Sequence, residues 1–123
     1  MPRQILDEAR LHPAIRDDVA NAHADIVHNV QAAASSNPVL VVGMAGNPFV
    51  RRARRGLVAA EVPHHYLGYG SYLSEWRARN ALKMWTGWPT FPLVFVKGQL
   101  VGGAQDLQRL IDSGELKRLL GEP

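Results

Sequence analysis

The residues with the clearest chemical potential lie where an apolar run passes into a basic helix. The stretch VLVVGMAGNPFVRRARRGL, residues 39–57, joins a strand-like run to a short glycine-containing loop and a helix that opens at Asn47-Pro48. Many small α/β domains place a reactive cysteine or a bound anion at such a helix start. The chain has no cysteine. This helix start therefore carries no thiolate, and the ligands still open to it are an anion or the surface of a partner protein.

A run of arginines follows the helix start and opposes the helix macrodipole, which favours acidic residues there. Helix stability therefore does not explain the run. Its possible uses are attraction of an anionic ligand, of an acidic protein surface or of nucleic-acid phosphates, beside the plainer alternative of a solvated face. No groove-reading motif accompanies it, so nucleic acid is the least favoured partner. The run consists of Arg51, Arg52, Arg54 and Arg55.

The histidines do not have the spacing of a metal site. His64 and His65 are adjacent in a predicted strand and point to opposite faces, and His23 and His28 are five positions apart on a predicted helix. We therefore expect no metal ion.

Composition limits the class of protein. A chain of 123 residues corresponds to one domain, and the absence of cysteine excludes disulfides. The net charge is +3, with Arg far more common than Lys, which favours anionic partners in general. The apolar runs are too short to cross a bilayer and the start of the chain lacks a signal-like hydrophobic region, so we expect a cytoplasmic protein without membrane contact.

Periodicity and turn signals predict the order helix, strand, helix, strand, helix, strand, strand, helix. Apolar residues at helical spacing from Ile15 to Ala33 predict one long amphipathic first helix that begins at Pro13. The other predicted elements are strand 38–42, helix 48–60, strand 62–70, helix 71–86, strands 91–96 and 99–103 around the turn Lys97-Gly98, and helix 104–120 with a break at Ser113-Gly114.

This order predicts an α/β protein with the thioredoxin-like fold, in which helices flank a four-stranded mixed sheet. The segment WPTFPLVFVKGQLVGG, residues 88–103, closely resembles the corresponding segment of monothiol glutaredoxins, and DSGELKRLL, residues 112–120, resembles their C-terminal helix. The resemblance runs from about Asp25 to Leu120. We therefore divide the chain into an N-terminal helical extension, residues 1–24, and a glutaredoxin-like domain, residues 25–123.

The chain departs from this family at its reactive positions. An ungapped alignment with dithiol glutaredoxins places Asn47 and Val50 where the two cysteines stand, so both positions are vacant. The family's loop lysine, which meets a glutathione carboxylate, corresponds most nearly to Ala45. Its Cys-Asp pair, which holds the γ-glutamyl end, is replaced by Ala104-Gln105.

What remains resembles the skeleton of a glutathione site. The Thr-x-Pro motif offers main-chain groups to an extended peptide, an arginine faces the glycine carboxylate, and a glycine pair lets the ligand approach. The same residues also fit structural roles, as a turn, a solvated arginine and a strand end. The residues implied are Arg79, Thr90, Phe91, Pro92, Gly102, Gly103 and Gln105, with the arginine run as an electropositive rim.

Two functions follow from this resemblance. The favoured one is a redox-silent binding module for glutathione, bound weakly, for an extended peptide or for a protein partner. The alternative is the family's thiol–disulfide oxidoreduction or iron–sulfur cluster handling, which requires that the missing cysteine was mutated or comes from a partner. The first helix is longer than the family's, so its Ile15 end should extend the core or form a partner-binding seam, including one in a homodimer.

Overall fold

The computed structural model describes residues 3–71 and 74–121. Helices and strands alternate along most of this length, after a short 3-10 turn at Glu8–Arg10. The elements are α1 Pro13–Asn21, α2 Ala24–Ser36, β1 Val39–Gly43, α3 Pro48–Ala59, β2 His65–Gly68, α4 Trp76–Thr86, β3 Leu93–Val96, β4 Gln99–Gly102, α5 Ala104–Asp112 and α6 Glu115–Leu119.

The strands form one mixed sheet in the order β2-β1-β3-β4. Strand β1 pairs in parallel with β2, with Val41 opposite Tyr66, and antiparallel with β3, with Val41 opposite Val94. All five residues of β1 are buried, as its continuous apolar run requires of a strand covered on both faces. Strands β3 and β4 form the predicted hairpin, whose turn residues Lys97 and Gly98 both have positive φ, of 52° and 81°.

Helices cover both faces of the sheet. On one face, Leu57 of α3 and Leu107 of α5 belong to a buried cluster with alternate β1 residues. On the other face, Val30 of α2 and Leu82 of α4 pack with the intervening β1 residues. The predicted layout, a four-stranded mixed sheet flanked by helices, is confirmed.

The prediction of one long first helix is wrong. His23 adopts a left-handed conformation with φ of 50°, and this residue separates α1 from α2. Helix α2 packs on the sheet through Val30 and Ala34, whereas α1 has no buried residue. The apolar spacing continues through the break, so periodicity alone does not detect it. The break lies beside the predicted domain boundary at residues 24 and 25, which stays a prediction.

Two further elements are shorter than predicted. Helix α4 begins at Trp76 rather than at residue 71, because Glu75 before it has a left-handed conformation with φ of 54°. Residues 72 and 73, which the prediction also assigned to this helix, lie outside the described residues. Strand β2 covers only the stretch that pairs with β1, so it ends well inside the predicted range 62–70.

Candidate binding groove

The side chain of Asn47 caps the N-terminus of α3. The Oδ1 atom of Asn47 accepts hydrogen bonds from the N–H groups of Phe49, at 2.8 Å, and Val50, at 3.2 Å. Pro48, at the first helical position, has no N–H to offer. The first-turn amides that we expected to attract an anion are thus already satisfied, by an asparagine that is only 7% exposed.

A groove of about 280 Å³ lies where α3, the β3 approach and the start of α5 meet. It brings together most of the ligand-binding residues expected from the sequence. Phe91 and Pro92 are buried, while Thr90 and Gln105 are exposed. The Phe91–Pro92 peptide bond is cis. The groove is lined by Phe49, Trp88, Thr90, Phe91, Pro92, Gly103, Ala104, Gln105 and Asp106.

Two sets of polar groups in this groove lack a hydrogen-bond partner among residues 3–71 and 74–121. Among the described residues, the main-chain hydrogen bonds outside helices and strands include none made by the N–H or C=O of Phe91. The indole Nε1 of Trp88 is buried and has no hydrogen-bond partner in the described part of the chain. Buried polar groups are normally paired, so these groups mark the groove as a place where a ligand supplies hydrogen bonds.

The glycine pair has separate roles at the end of β4. Gly102 has a φ of 119°, and a Cβ atom built there would lie 2.6 Å from Oδ2 of Asp106, so this position requires glycine. Gly103 is the N-cap residue of α5, and its N–H donates to the same Oδ2 at 3.0 Å. Gly103 therefore lines the groove, whereas Gly102 lies next to it in the chain and does not line the groove.

Arg79 does not belong to the groove. Its guanidinium is on α4, and its Nη1 atom donates to the carbonyl of Tyr69, at 2.9 Å, and to that of Ser74. The residue is only 7% exposed. The resemblance implied that Arg79 meets a ligand carboxylate, but in the structure this arginine instead ties α4 to the loop after β2.

The arginine run forms a surface on α3, which we call the arginine face: Arg51, Arg52, Arg54 and Arg55. All four side chains are exposed, and none of them lines the groove. They line two other depressions along α3. The guanidinium carbon of Arg52 lies 5.3 Å from the centre of the Phe49 ring, which lines the groove, so the arginine face borders the groove without lining it. The role of these residues as an electropositive rim stays a prediction.

Four groove residues are absent from the ligand-binding set expected from the sequence: Phe49, Trp88, Ala104 and Asp106. Asp106 has a detectable signal, since an acidic residue three positions after the helix cap is typical of a capping box. It also restores a carboxylate near the position where the family's Asp was judged lost. Phe49 and Trp88 carry no such signal, because aromatic residues are most often packing residues.

Within residues 3–71 and 74–121, no helix is long and apolar enough to cross a membrane.

Sequence and structure comparisons agree on one family. No family model matches the chain. A glutaredoxin-like protein of Dictyostelium discoideum is 42% identical over 102 residues, which cover 83% of this chain and 83% of that protein. Glutaredoxin 4 of Haemophilus influenzae is 36% identical over 94 residues, 72% of this chain and 84% of that protein. The structure of oxidized glutaredoxin 2 from Chlamydomonas reinhardtii superposes with a TM-score of 0.70 at 25% identity, over 81% of this chain and 94% of that one. The chain belongs to the glutaredoxin family, as an atypical member without cysteine.

Proposed function

We propose that this chain is a redox-silent binding module that takes an extended peptide into the groove, with glutathione as the smallest candidate ligand. The observation that carries this proposal is the main chain of Phe91 in the groove, for which the described part of the chain provides no hydrogen-bond partner. An extended ligand can pair with such a donor and acceptor as one β-strand pairs with another. This pairing requires no cysteine.

Side chains at the groove supply the remaining specificity. The carboxylate of Asp106 accepts the Gly103 N–H and lies 3.9 Å from Nη1 of Arg109, and its remaining lone pairs suit a ligand ammonium group. Thr90 and Gln105 offer exposed polar groups beside it. The buried Nε1 atom of Trp88 has no partner among the described residues, so it is a donor for a ligand acceptor that reaches the groove wall. A short peptide with a free amino group therefore fits this set of partners.

Glutathione should bind weakly. A hydrogen bond to a charged group contributes about 1.5 to 3 kcal/mol, and the loop lysine of the family is absent here. One such loss weakens affinity roughly tenfold or more. The family's thiol chemistry requires a thiolate, and this chain has no residue that provides one.

The test is a titration of ¹⁵N-labelled protein with S-methylglutathione, which has no free thiol. We expect saturable amide shifts at Phe49, Phe91 and Gly103. Gly103→Ala should weaken binding several-fold, because the added methyl group would lie 3.6 Å from the Pro92 carbonyl oxygen and from Trp88 Nε1, in ordinary contact that narrows the groove without a clash.

The matched control is Gly56→Ala, on α3, where an added Cβ displaces only the flexible end of the Gln108 side chain. This variant should bind as the native chain does. The proposal fails if the groove amides do not move, or if shifts appear only on the arginine face and simple salts reproduce them.

A further inference from the structure

The arginine face lacks internal charge compensation. Helix α3 contains no acidic residue in its sequence PFVRRARRGLVA. Among the described residues the ion pairs join Arg109 to Asp106 and Arg118 to Glu115, so none involves the arginine face. One of the four arginines, Arg51, lies in the first turn of α3, where the macrodipole makes a cation unfavourable. Helix stability therefore does not account for the positive charge of this face.

Two of these arginines are held in place by aromatic rings. The guanidinium carbon of Arg52 lies 5.3 Å from the centre of the Phe49 ring, and that of Arg54 lies 4.2 Å from the centre of the Tyr66 ring. The Nε atom of Arg54 also donates to Nε2 of His64 at 3.3 Å. Side chains that are already ordered lose less conformational entropy when a ligand binds, so the face is partly preorganised.

The face combines positive charge with exposed apolar surface. A depression of about 410 Å³ has Val58 and Ala59 among the arginines. Val58 is 69% exposed, although it is a large apolar residue on an otherwise amphipathic helix. Arg51, Arg55 and Ala59 line this depression and also a second one of about 610 Å³, so these residues form the boundary that the two depressions share.

We propose that the arginine face docks an acidic protein segment that carries an apolar side chain. Carboxylates of the segment bind Arg51 and Arg55 through paired hydrogen bonds, and the apolar side chain packs on Val58. Arg51, Arg55 and Val58 do not line the groove, so this docking surface adds a second binding site to the proposed function. Single-stranded nucleic acid fits less well, because it uses open aromatic rings for base stacking, and arginines already cover one face each of the Phe49 and Tyr66 rings.

The test uses fluorescence anisotropy at about 50 mM salt, with a labelled peptide of the sequence Glu-Asp-Glu-Leu-Asp-Glu-Asp. The double variant Arg51→Gln, Arg55→Gln should weaken binding at least tenfold, and Val58→Ser should weaken it several-fold. Arg77→Gln is the matched control, since Arg77 is an exposed helix arginine on α4, on the opposite face of the sheet. Gly103→Ala should leave this binding unchanged, which separates it from the groove.

Four outcomes would overturn the proposal: no saturable binding below about 1 mM, an equal loss in Arg77→Gln, no effect of replacing the peptide leucine by serine, or tighter binding of a single-stranded oligonucleotide of the same charge. The third outcome would show attraction by charge alone. Circular dichroism of each variant confirms that the fold is retained, which is expected because all substituted residues of the face are exposed.

Discussion

The N–H group of Val50 donates a hydrogen bond of 3.2 Å to Oδ1 of Asn47, and these two residues occupy the positions that align with the cysteines of dithiol glutaredoxins. The same oxygen accepts the N–H of Phe49. In a thiol enzyme, amides at a helix start stabilise a thiolate. In this chain the neutral amide oxygen of Asn47 accepts these N–H groups instead of a thiolate. The position that carries the reactive cysteine in dithiol glutaredoxins therefore holds a helix-capping residue.

Removal of this cap should destabilise the protein. Asn47→Ala leaves two amides of the first turn without an acceptor in the chain, and the expected loss in free energy of unfolding is about 1 kcal/mol. Asn47→Asp should retain the stability, because aspartate caps equally well and favours the positive end of the helix. Urea unfolding measures both. Equal stability of the native and Asn47→Ala proteins would contradict the role of Asn47 as a cap.

A cysteine introduced at position 47 should have a lowered thiol pKa. Asn47→Cys places a thiol at a helix start close to several arginines, so we expect its pKa to fall clearly below the ordinary value of about 8.5. Thiolate absorbance against pH measures it. Met84→Cys, at an exposed position of α4, is the control and should show an ordinary pKa. An ordinary value at position 47 would show that the helix start no longer favours an anion.

The sheet and its connections could be predicted from the sequence because each depends on a local signal. The continuous apolar run of β1 reflects burial on both faces, and Lys97-Gly98 has the form of a two-residue hairpin turn. The break at His23 could not be predicted in this way. It reflects where α2 packs on the sheet, and the apolar spacing is the same on both sides of it.

The candidate site was predicted only in part for a similar reason. The Thr90–Pro92 motif and Gly103 are set by the main chain, and they do lie together in the groove. The role of Arg79 depends on the conformation of the loop after β2, which presents two carbonyl oxygens to it. A residue-by-residue resemblance does not contain that information.

Arg79 should therefore matter for stability rather than for the ligand. Arg79→Met removes the buried guanidinium and its two hydrogen bonds, so the carbonyls of Tyr69 and Ser74 lose this donor. We expect a loss of about 2 kcal/mol or more in free energy of unfolding. Arg77→Met, an exposed neighbour, should cost little. If Arg79→Met retains stability but loses binding of S-methylglutathione, the arginine is a ligand residue after all.

His64 should titrate below the ordinary histidine pKa of 6.5. Burial lowers its pKa, the charge of Arg54 lowers it further, and a hydrogen bond with the main chain of Val62 opposes these effects. Arg54→Gln should raise the pKa of His64, whereas Arg109→Gln should not. A titration of the ring signals by NMR measures this, and equal values in the native protein and Arg54→Gln would contradict the contact.

The same lowered pKa fixes the direction of a pH effect on stability. Between the folded pKa and 6.5, the unfolded chain binds more protons at His64 than the folded chain does. This contribution is fully present above pH 6.5, falls as the pH is lowered through 6.5, and stops changing below the folded pKa. In Arg54→Gln this part of the pH dependence should be smaller, which urea unfolding at a series of pH values would measure.

The N-terminal helix should be dispensable for the stability of the domain. Helix α1 has no buried residue, and its large apolar side chains Ile15 and Val19 are 45% and 49% exposed, so the expectation that this end extends the core is wrong. Deletion of residues 1–21 should change the free energy of unfolding by no more than about 0.5 kcal/mol. The partner-binding role, including a homodimer, stays a prediction. It requires that sedimentation equilibrium detects an assembly of the full chain that the deletion abolishes, and a monomer in both cases would exclude the homodimer.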